Sequence, residues 1–223
     1  MKKREHTRLR GFTLIELLVV LIIIVSITMI ALASQGSFNK TFILANSAYD
    51  VALSLRFAET YGLGSRVLLG ASTNTGYGLH FVKATKNSYT LFADTIPAVG
   101  TGSTCHPLPP YDATGPSAIA GNCAYNSGET IQQVYTLNNG ITIKDFCAQA
   151  SNNSWSCATT NGSTLTSLDI VFARPNPVAF ITVNGSQTLM QAACITLTSL
   201  QGNFKYIRVA ASGQINANSP SCP

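Results

Sequence analysis

The sequence predicts an α+β protein: a long N-terminal helix, membrane-spanning in its first half and amphipathic in its second half, packs on the antiparallel β-sheet of a globular C-terminal head. Three observations carry this prediction. A long apolar run follows a short basic segment, apolar residues then recur in steps of three or four, and beyond Gly64 the apolar period falls to two. Segregation of one helix from a run of strands is typical of the α+β class.

Composition and charge restrict the function. Of the 223 residues, 46% are apolar and 10% are charged, against about 25% charged in an ordinary soluble domain. Because disorder requires high charge and low hydrophobicity, this composition excludes a disordered polymer. The low fraction of charged residues also disfavours an ordinary cytosolic enzyme. The net charge of +5 arises mainly in residues 1–10, and the rest of the chain carries nine basic and eight acidic residues. A nearly neutral body is not suited to binding many phosphates.

The predicted helix begins in an apolar run from Phe12 to Leu32. Its 21 residues span about 31 Å as a helix, which is enough to cross the core of a bilayer. The five basic residues before the run predict a cytoplasmic N-terminus and a head outside the membrane. The polar residues within the run are Thr13, Glu16, Ser26 and Thr28.

Two common kinds of N-terminal segment fit this run incompletely. A secretory signal peptide has an apolar stretch of about 7–15 residues and a small-residue cleavage site. Ala31-Leu32-Ala33 would supply the cleavage site, but the stretch here is longer. Neither a signal peptide nor a plain membrane anchor explains Glu16, because an ionisable residue inside a membrane helix is costly and indicates a function.

Residues 10–16 read RGFTLIE and, with the basic leader and the apolar helix, resemble the N-terminal signal of type IV prepilins and pseudopilins. The resemblance implies that a prepilin peptidase, which is also a methyltransferase, cuts between Gly11 and Phe12 and N-methylates Phe12. It implies a non-enzymatic filament subunit without cofactor or metal, single-pass in the inner membrane, whose partners are the bilayer and other pilin subunits. The chain then divides into a leader, an assembly helix, its amphipathic continuation and a head, at 1–11, 12–35, 36–64 and 65–223.

The spacing of this signal has a direct chemical interpretation. Gly11 has no side chain, so the backbone can lie extended in a protease cleft. Cleavage exposes the amine of Phe12, whose positive charge opposes the helix dipole and gains from an acidic partner. In a filament of packed apolar helices, Glu16 of one subunit beside the Phe12 amine of another would neutralise both charges and set the axial register. The alternative is that Glu16 simply lies at headgroup level.

The helix is expected to continue to Tyr61, with Gln35-Gly36 as a kink site and Gly62 and Gly64 as stops. The spacing predicts that its second half is amphipathic and packs on sheet. The predicted apolar stripe consists of Phe38, Phe42, Ala45, Tyr49, Ala52 and Leu55.

The head is predicted to consist of strands separated by turns and two long surface loops. Asn139-Gly140 predicts a hairpin and Asn184-Gly185 a second turn. Composition predicts surface loops over 100–128 and 149–163. The predicted strands cover 66–69, 78–82, 89–93, 131–137, 141–146, 168–173, 179–183, 193–198 and 204–210.

Three segments of the chain favour one subgroup. Residues 53–61 (LSLRFAETY), 170–183 (IVFARPNPVAFITV) and 195–216 (ITLTSLQGNFKYIRVAASGQIN) resemble pseudopilins of the GspH/FimT group. This resemblance implies a minor subunit of a type IV pilus or a type II secretion pseudopilus, with a helix followed by two small sheets.

All six cysteines lie in the predicted exported head, which implies up to three disulfides. Two pairs would each close a long loop, and a third would tie the tail to a strand. The absence of a C-x-x-C pair disfavours zinc, and nothing pairs a cysteine with a base for catalysis. The candidate pairs are Cys105 with Cys123, Cys147 with Cys157, and Cys194 with Cys222.

Hydrolysis and nucleic-acid binding are the alternatives to a filament role. His80, His106 and Asp112 lack an accompanying nucleophile motif and are interpreted as solvated residues. FimT-like minor pilins take up DNA with arginines near a C-terminal glycine, whereas residues 212–216 (SGQIN) contain none. Lys205 and Arg208 are the candidates for weak nucleic-acid contact. The alternative function is therefore a DNA-binding or adhesive minor pilin, with nucleic acid not the expected partner.

Overall fold

The computed structural model describes residues 11–64, 75–96, 121–174 and 177–222, and of residues 33–40 it describes only the backbone. The chain divides into two compact units, Met1–Phe42 and Ile43–Pro223. The first unit contains the N-terminal part of the helix α1 (Leu14–Leu63), and the second contains its C-terminal part and all ten strands. The predicted α+β class, with a long N-terminal helix and antiparallel sheets, is confirmed.

The ten strands form two five-stranded antiparallel sheets. Sheet A has the order β3-β2-β1-β6-β7, and sheet B has the order β10-β9-β8-β4-β5. The strands are β1 Gly76–Val82, β2 Ser88–Asp94, β3 Thr130–Thr136, β4 Thr142–Gln149, β5 Trp155–Cys157, β6 Ser167–Phe172, β7 Ala179–Val183, β8 Ala192–Thr198, β9 Phe204–Ala210 and β10 Ile215–Ser219.

Eight of these strands match predicted strands to within a few residues, because an alternating apolar pattern marks each of them. β5 and β10 were not predicted, and β5 lies in the segment 149–163 that was predicted to be a loop. The predicted strand 66–69 lies outside the described residues.

The hairpin predicted at Asn139-Gly140 is wrong. Both residues have positive φ, 59° and 73°, as a tight turn requires. However, β3 before the turn pairs with β2, and β4 after it pairs with β8 in the other sheet. Asn139-Gly140 therefore lies in the connection between β3 of sheet A and β4 of sheet B. The turn predicted at Asn184-Gly185 is confirmed, with φ values of 55° and 67°.

One hydrophobic core joins both sheets to the C-terminal part of α1. Phe81 and Ile170 of sheet A and Phe146 and Ile195 of sheet B are all at most 2% exposed. Burying one such side chain contributes about 1.5–3 kcal/mol. A buried hydrogen bond of 3.0 Å between Ser54 Oγ and Tyr89 Oη adds a polar link between α1 and β2.

The stripe predicted for the second half of the helix is wrong at Phe42 and Tyr49, whereas Leu55 is buried as predicted and Ala52 packs against the core. Phe42 and Tyr49 are 56% and 61% exposed, and Phe38 lies where side chains are not described. The buried positions also follow steps of three and four, but from a different starting point. They are Leu44, Ala48, Val51, Leu55 and Ala58.

Gly62 is a packing position rather than a helix stop. It lies inside α1, and a Cβ at this position would lie 2.1 Å from the carbonyl oxygen of Phe172 on β6. The helix therefore approaches sheet A at a distance that only glycine permits. The helix ends at Leu63, and Gly64 follows in a turn. The backbone is helical through Gln35-Gly36.

The outer face of sheet A is covered by residues 121–125. Phe92, Val171 and Phe180 form a second apolar cluster with Cys123 there. Thr182 Oγ1 donates a 2.6 Å hydrogen bond to the carbonyl oxygen of Cys123. The surface loop predicted over 100–128 is therefore buried at Gly121–Ala124, and the rest of it up to residue 120 lies outside the described residues.

His80 is not the solvated residue that the sequence predicted. It lies on β1 with its side chain 13% exposed, and Nδ1 is 2.5 Å from Oδ1 of Asp169 on β6. The Tyr125 ring lies against the His80 ring, with centroids 4.4 Å apart. Burial raises the pKa of the Asp169 carboxyl, and the hydrogen bond with His80 opposes this effect. His106 and Asp112 lie outside the described residues.

Two further buried carboxylates hold the backbone within this covering segment and next to it. Asp94 accepts hydrogen bonds from the backbone N–H groups of Asn122 at 2.9 Å and Cys123 at 2.8 Å. Glu129 accepts from three backbone N–H groups, two of them on the segment after β2. Burial raises the pKa of Glu129 to about 7, although the backbone hydrogen bonds lower it. The backbone N–H groups bound by these carboxylates lie outside the strands and have no partner in a β-sheet, so the carboxylate oxygens satisfy them instead.

Candidate processing and assembly site

The N-terminus of α1 is capped by a side chain that the sequence analysis overlooked. Thr13 Oγ1 accepts a 3.3 Å hydrogen bond from the backbone N–H of Glu16, and the Thr13 carbonyl oxygen accepts from Leu17 N–H at 3.2 Å. Threonine at the N-cap with glutamate three residues later is the capping-box pattern. The spacing of Thr13 and Glu16 therefore predicts that the helix begins at Leu14.

Glu16 is the first-turn acidic residue of α1. Its side chain is exposed, and no hydrogen-bond partner of its carboxylate occurs in the described part of the chain. The helix dipole favours the negative charge of Glu16 at this end of α1, but an apolar environment would supply no counter-charge. The Glu16 carboxylate is thus available to pair with a group that is not among the described residues.

Gly11 and Phe12 precede the helix and are exposed, with Phe12 at 79%. A Cβ built on Gly11 would have no heavy atom within 4 Å. The chain itself would therefore accept a side chain at this position. A requirement for glycine at residue 11 must come from a molecule that binds this segment.

The helix segment Leu14–Leu32 has a mean hydropathy of 3.0, and none of it is buried. It is long and apolar enough to cross a membrane. Its hydroxyl groups bond to the preceding turn: Ser26 Oγ donates to the Ile22 carbonyl at 2.8 Å, and Thr28 Oγ1 to the Ile24 carbonyl at 2.9 Å. These hydroxyls need no external partner, which distinguishes them from the Glu16 carboxylate.

The five cysteines of the head that lie within the described residues are oxidised. The structure contains the Cys147–Cys157 and Cys194–Cys222 disulfides, which are two of the three pairs named from the sequence. Cys123 is also disulfide-bonded, and Cys105, the partner named for it, lies outside the described residues. Among the cysteines in the described ranges none is a free thiol.

Lys205 and Arg208 both contact other side chains of the head. Lys205 Nζ donates a 2.9 Å hydrogen bond to Asn218 Oδ1. The guanidinium carbon of Arg208 lies 5.4 Å from the centroid of the Trp155 ring, within cation–π range. The structure therefore places the two residues on one strand but gives each of them a partner within the chain.

Comparison with known proteins gives one match. A family model described as the prokaryotic N-terminal methylation motif matches residues 7–32. No curated protein matches the chain, and no solved structure matches it either. The motif indicates a type IV pilin-like protein, processed by a prepilin peptidase and assembled with other pilins. Together with the apolar helix, it indicates membrane anchoring.

Proposed function

We propose that this type IV pilin-like protein is a minor structural subunit of a type IV pilus or a type II secretion pseudopilus. It is inserted in the inner membrane with its N-terminus in the cytoplasm and its head outside. A prepilin peptidase cuts it between Gly11 and Phe12 and methylates the new amine. The methylation-motif match, on a helix whose Leu14–Leu32 surface is wholly exposed, carries this proposal.

The exposed apolar surface of the helix supports a role in assembly. Transfer of apolar surface from water is favourable by about 25 cal/mol per Å², so this segment must be covered by lipid or by other protein. Lipid covers it before assembly, and the helices of other subunits cover it in a filament. Assembly therefore exchanges one apolar environment for another and gains little from the hydrophobic effect itself.

Glu16 and the Phe12 amine are proposed to supply the specificity that apolar packing lacks. Thr13 already caps the helix through its own hydroxyl, so the Glu16 carboxylate is not needed for that bond. Cleavage after Gly11 would create a positive charge near the same end of the helix. Pairing the two charges between subunits satisfies both in an apolar environment and fixes the axial stagger of neighbouring helices.

The minor role and the GspH/FimT subgroup are proposed from the resemblance in residues 53–61, 170–183 and 195–216. A non-catalytic role is proposed because the buried carboxylates in the described part of the head serve its structure. His80 bonds to Asp169, and Asp94 bonds to the segment that covers sheet A. Glu129 bonds to the backbone next to that segment. The proposed boundaries remain 1–11 for the leader, 12–35 and 36–64 for the helix, and 65–223 for the head.

Replacement of Gly11 by valine tests the proposed processing. Gly11→Val should accumulate as uncut precursor in the membrane, because a branched side chain prevents the extended backbone from fitting a peptidase cleft. The chain itself has room for the side chain, so loss of cleavage would not reflect misfolding. Immunoblots of membranes would compare precursor and processed bands.

Leu14→Val is the matched control, since it introduces the same branched residue beyond the scissile bond and should be cut normally. Wild-type cleavage of Gly11→Val would contradict processing at this position.

A further inference from the structure

Four cysteines of the head lie together on the outer face of sheet B. Their neighbours Phe146, Ala148, Ala193 and Ile195 point into the core that the sheets share. Because successive side chains of a strand alternate between faces, Cys147 of β4 and Cys194 of β8 point outward. The two disulfides, Cys147–Cys157 and Cys194–Cys222, therefore lie side by side on this face.

Three of these cysteines form one row across consecutive strands. Cys157 of β5 is in direct register with Cys147 of β4, and Cys147 is in direct register with Cys194 of β8. Side chains in direct register have Cβ atoms about 4.5–5.5 Å apart. Cys147 thus has one cysteine on each side, and Cys194 approaches it from the side opposite Cys157.

This order suits thiol–disulfide exchange. A thiolate attacks one sulfur of a disulfide while the other sulfur leaves, and the attacking sulfur must approach along the axis of the breaking bond. A row perpendicular to the strands places the attacking, central and leaving sulfurs in that sequence. Cys194 is therefore positioned to attack Cys147 and displace Cys157.

Arg208 provides a positive charge beside the attacking sulfur. It is in direct register with Cys194, on the side away from Cys147. Its guanidinium lies against the ring of Trp155 on β5, although β8 and β4 separate their two strands. The Arg208 and Trp155 side chains therefore meet over the strands that carry Cys194 and Cys147. A nearby cation favours the thiolate, which is the reactive form of cysteine.

Of the four cysteines, an external thiol can directly reach only Cys157 and Cys222. Cys194 and Cys147 are 0% and 2% exposed, whereas Cys157 and Cys222 are half-buried. Cys222 follows β10 and lies outside both sheets, whereas Cys157 belongs to β5. Of the two disulfides, Cys194–Cys222 is therefore the one that can be opened at an exposed sulfur outside the strands.

We propose that the row Cys157–Cys147–Cys194 is a thiol–disulfide exchange site that is opened by an external dithiol. The dithiol reduces Cys194–Cys222 to two thiols and is itself oxidised to a disulfide. Cys194, as its thiolate, then attacks Sγ of Cys147, forming the Cys147–Cys194 bond and breaking Cys147–Cys157. Cys157 leaves as a thiolate and takes up a proton, so the products are one disulfide and two thiols at Cys157 and Cys222.

The exchange changes which elements of the head are covalently linked by disulfides. The native pairing fastens β5 and the C-terminal segment, which are peripheral. The exchanged pairing fastens β4 to β8, which already pair over seven residue positions. Exchange therefore releases both peripheral elements and leaves the interior of the sheet cross-linked. Loss of β5 would expose the edge of β4 to another strand.

The test compares two single-cysteine replacements in the full chain, purified in detergent at pH 8 without reductant. In Cys222→Ser, Cys194 is a thiol from the outset and needs no dithiol. Alkylation followed by peptide mapping should find Cys147–Cys194 linked and Cys157 labelled. In the matched Cys194→Ser protein, Cys222 should carry the label and Cys147–Cys157 should remain. A Cys222→Ser protein that retains Cys147–Cys157 and is labelled only at Cys194 would overturn the proposal.

Two further measurements keep the test independent of the folding of these variants. Wild-type protein treated with less than one equivalent of dithiothreitol and quenched with acid should yield the Cys147–Cys194 peptide, and its absence throughout the time course would overturn the proposal. Arg208→Gln should slow appearance of this peptide by roughly threefold to tenfold, whereas Arg208→Lys should retain the rate, since a cation raises the thiolate fraction. Equal rates in all three proteins would contradict the role of Arg208.

Discussion

Glu16→Gln protein is expected to insert and to be cleaved like wild type but to be almost absent from filaments. Glutamine keeps the size and helix propensity of glutamate and removes its charge, which eases insertion. Each incorporated subunit would then bury a Phe12 amine without its counter-charge. Removing one partner of a buried pair costs about 3–5 kcal/mol, or roughly two to four orders of magnitude in an equilibrium.

The measurement is the fraction of processed protein in sheared filaments relative to the membrane pool. Thr28→Val is the matched control, because it removes a polar group of the same helix that already bonds within its own turn. It should be incorporated like wild type. Equal incorporation of Glu16→Gln would show that Glu16 does not set the register. Loss of cleavage would place its role in recognition by the peptidase instead.

Gly62→Ala is expected to destabilise the head substantially. The new Cβ would lie 2.1 Å from the oxygen and 2.7 Å from the carbon of the Phe172 carbonyl. These are backbone atoms of the buried strand β6, so the helix must move away and weaken the packing of Leu55 and Ala58. Alanine gains up to about 1 kcal/mol of helix propensity over glycine, but overpacking costs about 1–3 kcal/mol or more.

Thermal unfolding of the full chain in detergent would measure the effect. Asn46→Ala introduces the same residue at an exposed position of the same helix and should leave the melting temperature unchanged or slightly higher. A melting temperature of Gly62→Ala equal to that of Asn46→Ala would contradict the close approach of α1 to β6.

The helix and the strands were predictable to different degrees. An apolar run behind a basic segment has few alternatives to a membrane helix, and Thr13 and Glu16 carry a capping signal in their spacing. The buried stripe could not be chosen by period alone, because Phe42 and Tyr49 recur at the same spacing as Leu44 and Val51. The contacts of the helix with the two sheets decided it, and residue spacing within the helix does not contain those contacts.

The missed parts depend on pairings that the local apolar pattern does not show. β5 has three residues, Trp155–Cys157, and forms because β4 and a disulfide hold it. β10 has the sequence INANS, which lacks a β-forming run, and pairs with β9. His80 and Asp169 are separated by 89 positions, and their pairing follows from the register of β1 and β6. Apart from the Cys147–Cys157 pair, which was named from the sequence, none of these contacts was predicted from the local pattern.

The mass of the mature protein from its native host tests the central claim most directly. Intact-mass analysis with N-terminal fragmentation would identify the first residue and its modification. The account predicts a chain shortened by residues 1–11 that begins with N-methylated Phe12. A chain that begins at Ser34 or later would indicate cleavage by an ordinary signal peptidase after Ala31-Leu32-Ala33, and it would contradict the assignment as a pilin-like subunit.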